Sequence, residues 1–153
     1  QVKAHQDQAR LRNITLNVQL EEDIDIVVDA SAFSIILSNF VTNALKHSPS
    51  NSEILIKNDL EDDFLTTLSV IDHGKGIPKK YRDRVFERFF RVDKGRAKHS
   101  GGTGLGLAIS KHLARLMGYE VGMKPNKPNG SRFWISVNYA SSEEEKSLTP
   151  ELA

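Results

Sequence analysis

The 153-residue sequence contains no cysteine, which excludes disulfide frameworks and thiolate metal sites. It has no apolar run approaching the ~20 residues of a membrane-spanning helix, and no signal-peptide pattern opens it. A dominant charge is also missing, since 21 Lys and Arg oppose 20 Asp and Glu and leave a net charge of +1. No overall field therefore favours nucleic acid or a membrane surface as a partner, and the absence of cysteine fits a reducing compartment.

The length of the chain predicts one domain with its own core. Residues 1–12 are polar and helix-permissive, residues 13–140 carry the alternating and periodic apolar patterns of a folded domain, and residues 141–153 have the composition of a disordered tail. The first residue is Gln rather than Met. We therefore expect the chain to be a piece of a longer protein.

Apolar periodicity predicts interleaved strands and helices. Alternation predicts strands over 14–20, 53–57, 65–71 and 133–137, and the longer periods predict helices over 30–46 and 105–117. Asp29 is a suitable N-cap for the first of these helices, and Pro49 limits its extent. Residues 81–92 predict short helical turns, and 93–102 predict a mobile loop. The order indicates a two-layer α/β domain with a mixed sheet.

A polar stripe runs beside the core face of the helix at 30–46. At 100° per residue, Asn43 and Lys46 lie within about 40° of Asn39 around the axis. Asparagine is unfavourable in helix interiors, so two asparagines one turn apart favour a functional role for this face. A carboxamide oxygen suits Mg²⁺ and an adjacent lysine suits phosphate, although a solvated helix face remains the alternative.

Two glycine-containing segments carry further candidates. In DHGKGIP (72–78), Asp72 ends a strand, where it forms either an ordinary turn or an acceptor for the amino group of a base. GGTGLGLAIS (101–110) opens a helix without the preceding strand of a dinucleotide fingerprint and without the Gly-Lys-Ser/Thr of a Walker loop. It remains a glycine-rich helix start, whose free N–H groups favour phosphate.

The order of four motifs gives these segments a common interpretation. ILSNFVTNALKHS, DHGKGIP, VFERFFRVD and GGTGLGLAIS resemble the N, G1, F and G2 boxes of bacterial sensor histidine kinases, over residues 14–137. The third motif points to these kinases within the ATPase superfamily of gyrase, heat-shock chaperone and mismatch-repair proteins. The resemblance implies the Bergerat-type ATP-binding fold, an α+β two-layer sandwich with a mixed, mainly antiparallel sheet, about three covering helices and a flexible ATP lid.

The resemblance also implies roles for individual residues, with ATP and Mg²⁺ as cofactors. Asn43 is implied as the Mg²⁺ ligand, Asn39 as support for the metal's water shell, and Lys46 and Arg91 as phosphate contacts; these four are the catalytic candidates. Asp72 is implied as the adenine acceptor. Further nucleotide contacts are implied for His47, Gly74, Gly76, Ile77, Gly102, Thr103, Gly104, Leu105, Gly106, Leu107 and Phe133.

Some aromatic residues keep two interpretations at this stage. Phe133 either borders adenine or fills the core. Phe86, Phe89 and Phe90 either pack the base of the lid or dock a partner. Nothing in the sequence explains Trp134.

The sequence departs from the family pattern in two places. Gly118-Tyr119-Glu120 replaces the usual Gly-Gly pair after the last helix, and no histidine has the acidic neighbour and downstream proline of a phosphoacceptor. The chain is therefore predicted to be the catalytic half of a kinase. It would transfer the γ-phosphoryl group of MgATP to a histidine on a separate dimerisation and phosphoacceptor domain, for later relay to a response regulator.

The same resemblance sets expectations for the whole protein. Residues 1–12 would be the end of the dimerisation helix or its linker, this fragment a monomer, and the full-length protein a membrane-anchored homodimer with this domain in the cytoplasm. Two alternatives share the fold: a serine kinase of the anti-sigma type and a non-catalytic nucleotide-binding module. The VFERFFRVD motif argues against the first.

Overall fold

The computed structural model describes residues 2–20, 24–61, 65–92 and 102–141, as three α-helices, six strands and two 3-10 turns. The helices are α1 (Gln6–Leu11), α2 (Ala30–His47) and α3 (Gly106–Leu116), and the 3-10 turns are Val2–His5 and Lys79–Arg84. The strands are β1 (Thr15–Gln19), β2 (Ile24–Ile26), β3 (Glu53–Leu60), β4 (Leu65–Ile71), β5 (Glu120–Pro125) and β6 (Ser131–Ser141). Within these ranges, no helix combines the length and apolarity needed to cross a bilayer.

One sheet contains all six strands, in the order β1-β3-β4-β6-β2, with β5 also paired to β6. Only β1 and β3 run parallel; the other pairs are antiparallel. Helices α2 and α3 pack on each other, on β4 and on β5, and the shorter α1 lies beside β1. The predicted two-layer sandwich with a mixed, mainly antiparallel sheet is confirmed. Of the predicted loop at 93–102 and the predicted tail at 141–153, residues 93–101 and 142–153 lie outside the described residues.

The core lies between the inward faces of the strands and the two long helices. Alternate residues of β3, β4 and β6 face it, as the register Ile56 to Val70 to Phe133 shows. On α2, Ile36 and Phe40 supply its fully buried side chains. Burial of each such side chain contributes about 1.5–3 kcal/mol to the free energy of folding. These contacts therefore fix the position of α2 on the sheet.

The N-terminal segment packs against α2. Ala9 is 2% exposed and belongs to the core, and the His5 imidazole Nε2 lies 3.1 Å from Ser38 Oγ. The Arg12 guanidinium donates to the backbone carbonyl oxygens of Leu45 and, at 2.9 Å, of Ser48. These carbonyls end a helix and lack helical partners of their own, so Arg12 acts as a cap for the C-terminus of α2.

Replacing Arg12 with alanine should therefore destabilise the domain. Two hydrogen bonds from a charged donor at a helix end predict a loss of about 1–2 kcal/mol in the free energy of unfolding, measured by urea denaturation. Arg10→Ala is the matched control, because Arg10 is exposed on the same short helix. Equal losses in the two variants would show that the capping contact contributes nothing.

Candidate functional site

Four predicted segments meet at one end of the sheet. They are the C-terminal half of α2, the turn after β4, the stretch around Phe89, and the N-terminus of α3. Three contacts join them: Gly74 lies against the His47 carbonyl, Asn39 bonds to Gly106, and Gly104 lies against Phe89. The structure therefore brings together segments that are separated by up to 67 residues in the sequence.

Asp72 is a buried carboxylate at the end of β4, with 2% of its surface exposed. Its Oδ1 accepts the backbone N–H of Gly74 at 2.8 Å and that of Ser131 at 3.2 Å. Burial raises the pKa of Asp72, and these two hydrogen bonds and nearby His73 oppose the rise. Both hydrogen bonds from the described residues use Oδ1, so Oδ2 keeps its capacity to accept a hydrogen bond from a ligand.

The backbone around Asp72 is held from two sides. The Asn126 side chain donates to the Asp72 carbonyl at 2.9 Å, and the Asp72 N–H donates to the Ser131 carbonyl at 2.9 Å. A Cβ at Gly74 would lie 2.4 Å from the His47 carbonyl oxygen, so only glycine allows this turn to meet the end of α2. The carboxylate is therefore fixed relative to the helix that carries the polar stripe.

The two asparagines of the stripe differ in their contacts. The Asn39 amide donates to the Gly106 carbonyl and to Ser110 Oγ, at 2.9 and 3.1 Å. Asn43 is half-buried and makes no side-chain hydrogen bond within the described residues. Of the two, Asn43 has its carboxamide open to a ligand, whereas Asn39 ties α2 to α3.

Lys46, one turn after Asn43 on α2, lies within electrostatic reach of Arg91. Burial lowers the pKa of Lys46, and the positive charge of Arg91 lowers it further. An anion placed between two such cations is attracted by both and favours the charged form of Lys46. This part of the site therefore has the electrostatics of a phosphate position.

The described part of the predicted lid begins with an exposed Thr103 and a tightly packed Gly104. Gly104 has a φ of +72°, and a Cβ there would lie 2.9 Å from the Phe89 backbone carbon. The Phe89 N–H donates to the Gly104 carbonyl at 2.9 Å. The glycine is thus required by contact with the preceding motif. Gly102, Leu105, Gly106 and Leu107 are half-buried around it.

The aromatic candidates separate into packed and exposed residues. The Phe133 ring is 1% exposed, with its centroid 5.7 Å from that of Phe40 and 6.2 Å from that of Phe86. This position favours the core role for Phe133. Phe90 packs 5.7 Å from Tyr81, whereas Phe89 is 69% exposed. Phe89 is therefore the exposed one of the three motif phenylalanines, and its docking role stays a prediction.

The remaining candidates lie at the edges of the site. His47 is exposed at the last residue of α2, Ile77 is half-buried against the core, and Gly76 has a φ of +70° with its Cα beside Gly130. Their predicted nucleotide contacts stay predictions.

Three features were not foreseen from the sequence. Asn126 and Ser131, which hold Asp72, lie 54 and 59 residues from it, and neither was among the predicted site residues. Strand β5 was not predicted. Its Gly122 explains Trp134, since a Cβ there would lie 2.2 Å from the indole ring, which rests directly on the glycine.

The turn after α3 keeps its geometry with one glycine. Gly118 has a φ of +79°, the left-handed conformation of a helix C-cap. Tyr119 takes the second position and its hydroxyl donates to the Val27 carbonyl. The departure from the Gly-Gly pair therefore leaves the turn intact and adds a link to the segment before α2.

Comparison with known proteins gives a consistent result. A family model described as histidine kinase-, DNA gyrase B-, and HSP90-like ATPase matches residues 28–141. The sensor histidine kinase WalK of Bacillus subtilis is 36% identical over 126 residues, 82% of this chain and 21% of that protein. The sensor-like histidine kinase SenX3 of Mycolicibacterium smegmatis is 34% identical over 136 residues, 89% of this chain and 35% of that protein.

Solved structures show the same likeness. The mycobacterial sensor histidine kinase MprB aligns with a TM-score of 0.77 and 27% identity, covering 92% of each chain. Full-length ShkA in complex with AMPPNP aligns with a TM-score of 0.78 and 28% identity, covering 92% of this chain and 28% of that one. This chain therefore spans about a fifth to a third of the longer proteins that it matches.

Proposed function

The chain belongs to the family of histidine kinase-, DNA gyrase B- and HSP90-like ATPases and is an ATP-binding catalytic domain of the sensor histidine kinase type, and we propose that it presents the γ-phosphoryl group of MgATP to a histidine on a separate domain. The observations that support this proposal are that Asn43 and Lys46 lie one turn apart on α2, and that the positive charge of Arg91 acts on Lys46. AMPPNP in the similar ShkA complex supports an ATP site here.

The side chains present fit a magnesium ion that arrives with the nucleotide. Within the described residues, no group of three or more His, Asp or Glu side chains could hold a metal by itself. Mg²⁺ in phosphate-transfer sites is bound by one or two protein oxygens, the phosphates and water. The free carboxamide of Asn43, one turn before Lys46, supplies such an oxygen.

The protein's part in the reaction is positioning and charge neutralisation. Asp72 Oδ2 would accept a hydrogen bond from the adenine amino group and so orient the base. Lys46 and Arg91 would contact the terminal phosphates, where negative charge is concentrated, and Asn43 would fix the metal edge of the triphosphate. Bound Mg²⁺ supplies further neutralisation of that charge. Phosphoryl transfer asks little covalent chemistry of the protein, so this arrangement meets its main demands.

The acceptor and the later steps belong to the proposal. We propose a dimerisation and phosphoacceptor domain of the same longer protein as the first partner, and a response regulator aspartate as the final acceptor. This fragment would be monomeric and cytoplasmic, within a full-length homodimer anchored to the membrane, and nucleic acid is not an expected partner. The similar proteins are named as sensor kinases, which favours this reading over the serine kinase alternative.

The magnesium assignment is tested by calorimetric titration of ATP into the native chain and into Asn43→Ala, each with Mg²⁺ and with a chelator. We expect Mg²⁺ to strengthen ATP binding to the native chain by about tenfold or more, and to give Asn43→Ala little of this gain, because one metal ligand is lost.

Thr42→Ala is the matched control, since Thr42 is the exposed neighbour of Asn43 on the same helix. It should respond to Mg²⁺ as the native chain does. A full Mg²⁺ gain in Asn43→Ala would refute the metal role of Asn43, and a native chain that binds no ATP would refute the proposed function itself.

A further inference from the structure

A closed set of three hydrogen bonds joins α2 to the first turn of α3. The Asn39 amide donates one proton to the Gly106 carbonyl at 2.9 Å and the other to Ser110 Oγ at 3.1 Å. The Ser110 hydroxyl donates to the same Gly106 carbonyl at 3.0 Å. Each of the three donor hydrogens has an acceptor, and the Ser110 side chain is fully buried. This partly buried network fixes the geometry of the contact, because a displacement of either helix breaks hydrogen bonds to the fully buried Ser110 hydroxyl.

The absence of a side chain at Gly106 belongs to the same contact. A Cβ there would lie 3.3 Å from Asn39 Oδ1, tighter than ordinary van der Waals separation, and 3.4 Å from its Cγ, at the edge of it. Gly106 therefore allows the Asn39 amide to approach the start of α3 closely. Packing against α2 therefore accounts for the glycine at position 106.

The first turn of α3 has backbone donors to offer. The N-cap position is Leu105, whose side chain makes no capping hydrogen bond. The N–H groups of Gly106, Leu107 and Ala108 have no acceptor within the helix, as in any first turn. Where these donors point depends on how the helix start is held, and Asn39 with Ser110 holds it.

We propose that Ser110 is a positioning residue for the nucleotide phosphates and acts through Asn39. The pair holds the first turn of α3 at a fixed place against Asn39, one turn before Asn43 on α2, so that its N–H groups face the phosphates. This proposal rests on the proposed function, because it assumes that phosphates bind at this end of α2. It gives Asn39 a role distinct from the implied support of a metal's water shell.

Ser110→Ala tests the proposal without altering any predicted nucleotide contact. Alanine removes two hydrogen bonds and favours helix more than serine does, so folding should be retained. We expect the dissociation constant for ATP to rise about 3- to 10-fold, while that for adenosine stays within about twofold, because adenosine lacks the phosphates. Hydrogen exchange should show faster exchange of the amides of Ile109 and Ser110, the first that are hydrogen-bonded within α3, in the variant without nucleotide.

Ser69→Ala is the matched control. Ser69 is also fully buried and accepts a hydrogen bond from Arg132 at 2.9 Å, on the sheet face away from the helices. It should change the affinity for neither ligand. A double-mutant cycle of Asn39→Ala with Ser110→Ala, titrated with ATP in chelator, should be non-additive, since either change breaks the same network.

The outcomes separate the two proposals. If the native chain binds no ATP, the proposed function fails. If the native chain binds ATP and Ser110→Ala binds it equally well, the positioning role is overturned. Equal weakening of ATP and adenosine binding would also overturn it, because it would indicate a general loss of structure. Ser110→Cys, which keeps the packing and weakens the hydrogen bonds, should give an intermediate ATP affinity and serves as the decisive variant if alanine lowers stability.

Discussion

Asp72→Asn is expected to reverse the base preference of the site. The native chain should bind ATP and discriminate against GTP and ITP, whereas Asp72→Asn should lose about ten- to a hundredfold in ATP affinity and gain affinity for ITP. Inosine differs from adenine in presenting a carbonyl where adenine presents an amino group. A donor in place of Oδ2 would therefore favour it.

The bonding of Asp72 makes asparagine the informative substitution. The Asn side-chain oxygen can keep the two backbone hydrogen bonds that Oδ1 now accepts from Gly74 and Ser131. The amide nitrogen must then occupy the position of Oδ2, where it meets the adenine amino group donor to donor. Asp72→Ala, by contrast, should weaken ATP without improving ITP. Competition titrations of ATP, GTP and ITP on the three proteins measure both effects.

The raised pKa of Asp72 provides an independent check of the variant. Because burial raises the folded-state pKa above the unfolded value, the stabilisation from protonated Asp72 is complete below the unfolded pKa and is lost as pH rises through the folded pKa. Asp72→Asn removes this titration, so its stability should fall less than that of the native chain as pH rises through this window. Equal ATP affinity in the native chain and Asp72→Asn would eliminate Asp72 as the adenine acceptor.

The sequence predicted the polar stripe of α2 but not which of its asparagines is hydrogen-bonded to α3. A period of 3.6 residues places Asn39 and Asn43 on one face, because that period is a property of the helix alone. Which of them stays open depends on α3, whose Gly106 and Ser110 occupy Asn39. The nearest of these contacts spans 67 residues, and no local pattern records it.

The glycine-rich segment shows the same limit. Its glycines were predicted to leave space for phosphates. The structure shows that two of them also pack closely against distant parts of the chain, which the local sequence does not indicate. Gly104 must admit the Phe89 backbone, and Gly106 must admit the Asn39 amide. Strand β5 was missed for a related reason: Glu120–Pro125 alternates weakly, and its assignment as a strand comes from pairing with β6.

The predicted boundary between residues 12 and 13 stays a prediction, but the structure shows how the residues before it pack. Residues 2–12 pack on α2 through Ala9 and Arg12 rather than standing apart. Their expected identity as the end of a dimerisation helix or as a linker stays a prediction. In either case, a rearrangement of this segment would change the hydrogen bond from Arg12 to the Leu45 carbonyl. Leu45 is the residue directly before Lys46.

The chain incubated alone with radiolabelled MgATP is expected to bind nucleotide and to retain no acid-labile, base-stable phosphate. Its histidines do not suit the acceptor role. His5 is buried against Ser38, and His73 Nδ1 lies 3.1 Å from the Glu53 carbonyl. His112 is exposed on α3 without an acidic neighbour, and His99 lies outside the described residues.

Geometry gives a second reason for the missing label. Transfer needs the attacking nitrogen nearly in line with the leaving oxygen, and His47 and His73 flank the proposed adenine end of the site rather than the end marked by Arg91. A helical acceptor domain with a His-Glu or His-Asp pair and a downstream proline, added in trans, should become labelled on its histidine. Because such docking is transient, labelling should rise with acceptor concentration.

The acceptor experiment includes its own control and its own refutation. An acceptor domain carrying His→Gln at its phosphorylation site should stay unlabelled, and Arg91→Ala should lower labelling of the native acceptor by more than it lowers ATP affinity, since transfer gains more from the developing charge than binding does. Efficient phosphohistidine on this chain by itself, or acid-stable phosphoserine on a partner, would contradict the assignment. The second result would instead favour a serine kinase built on the same fold.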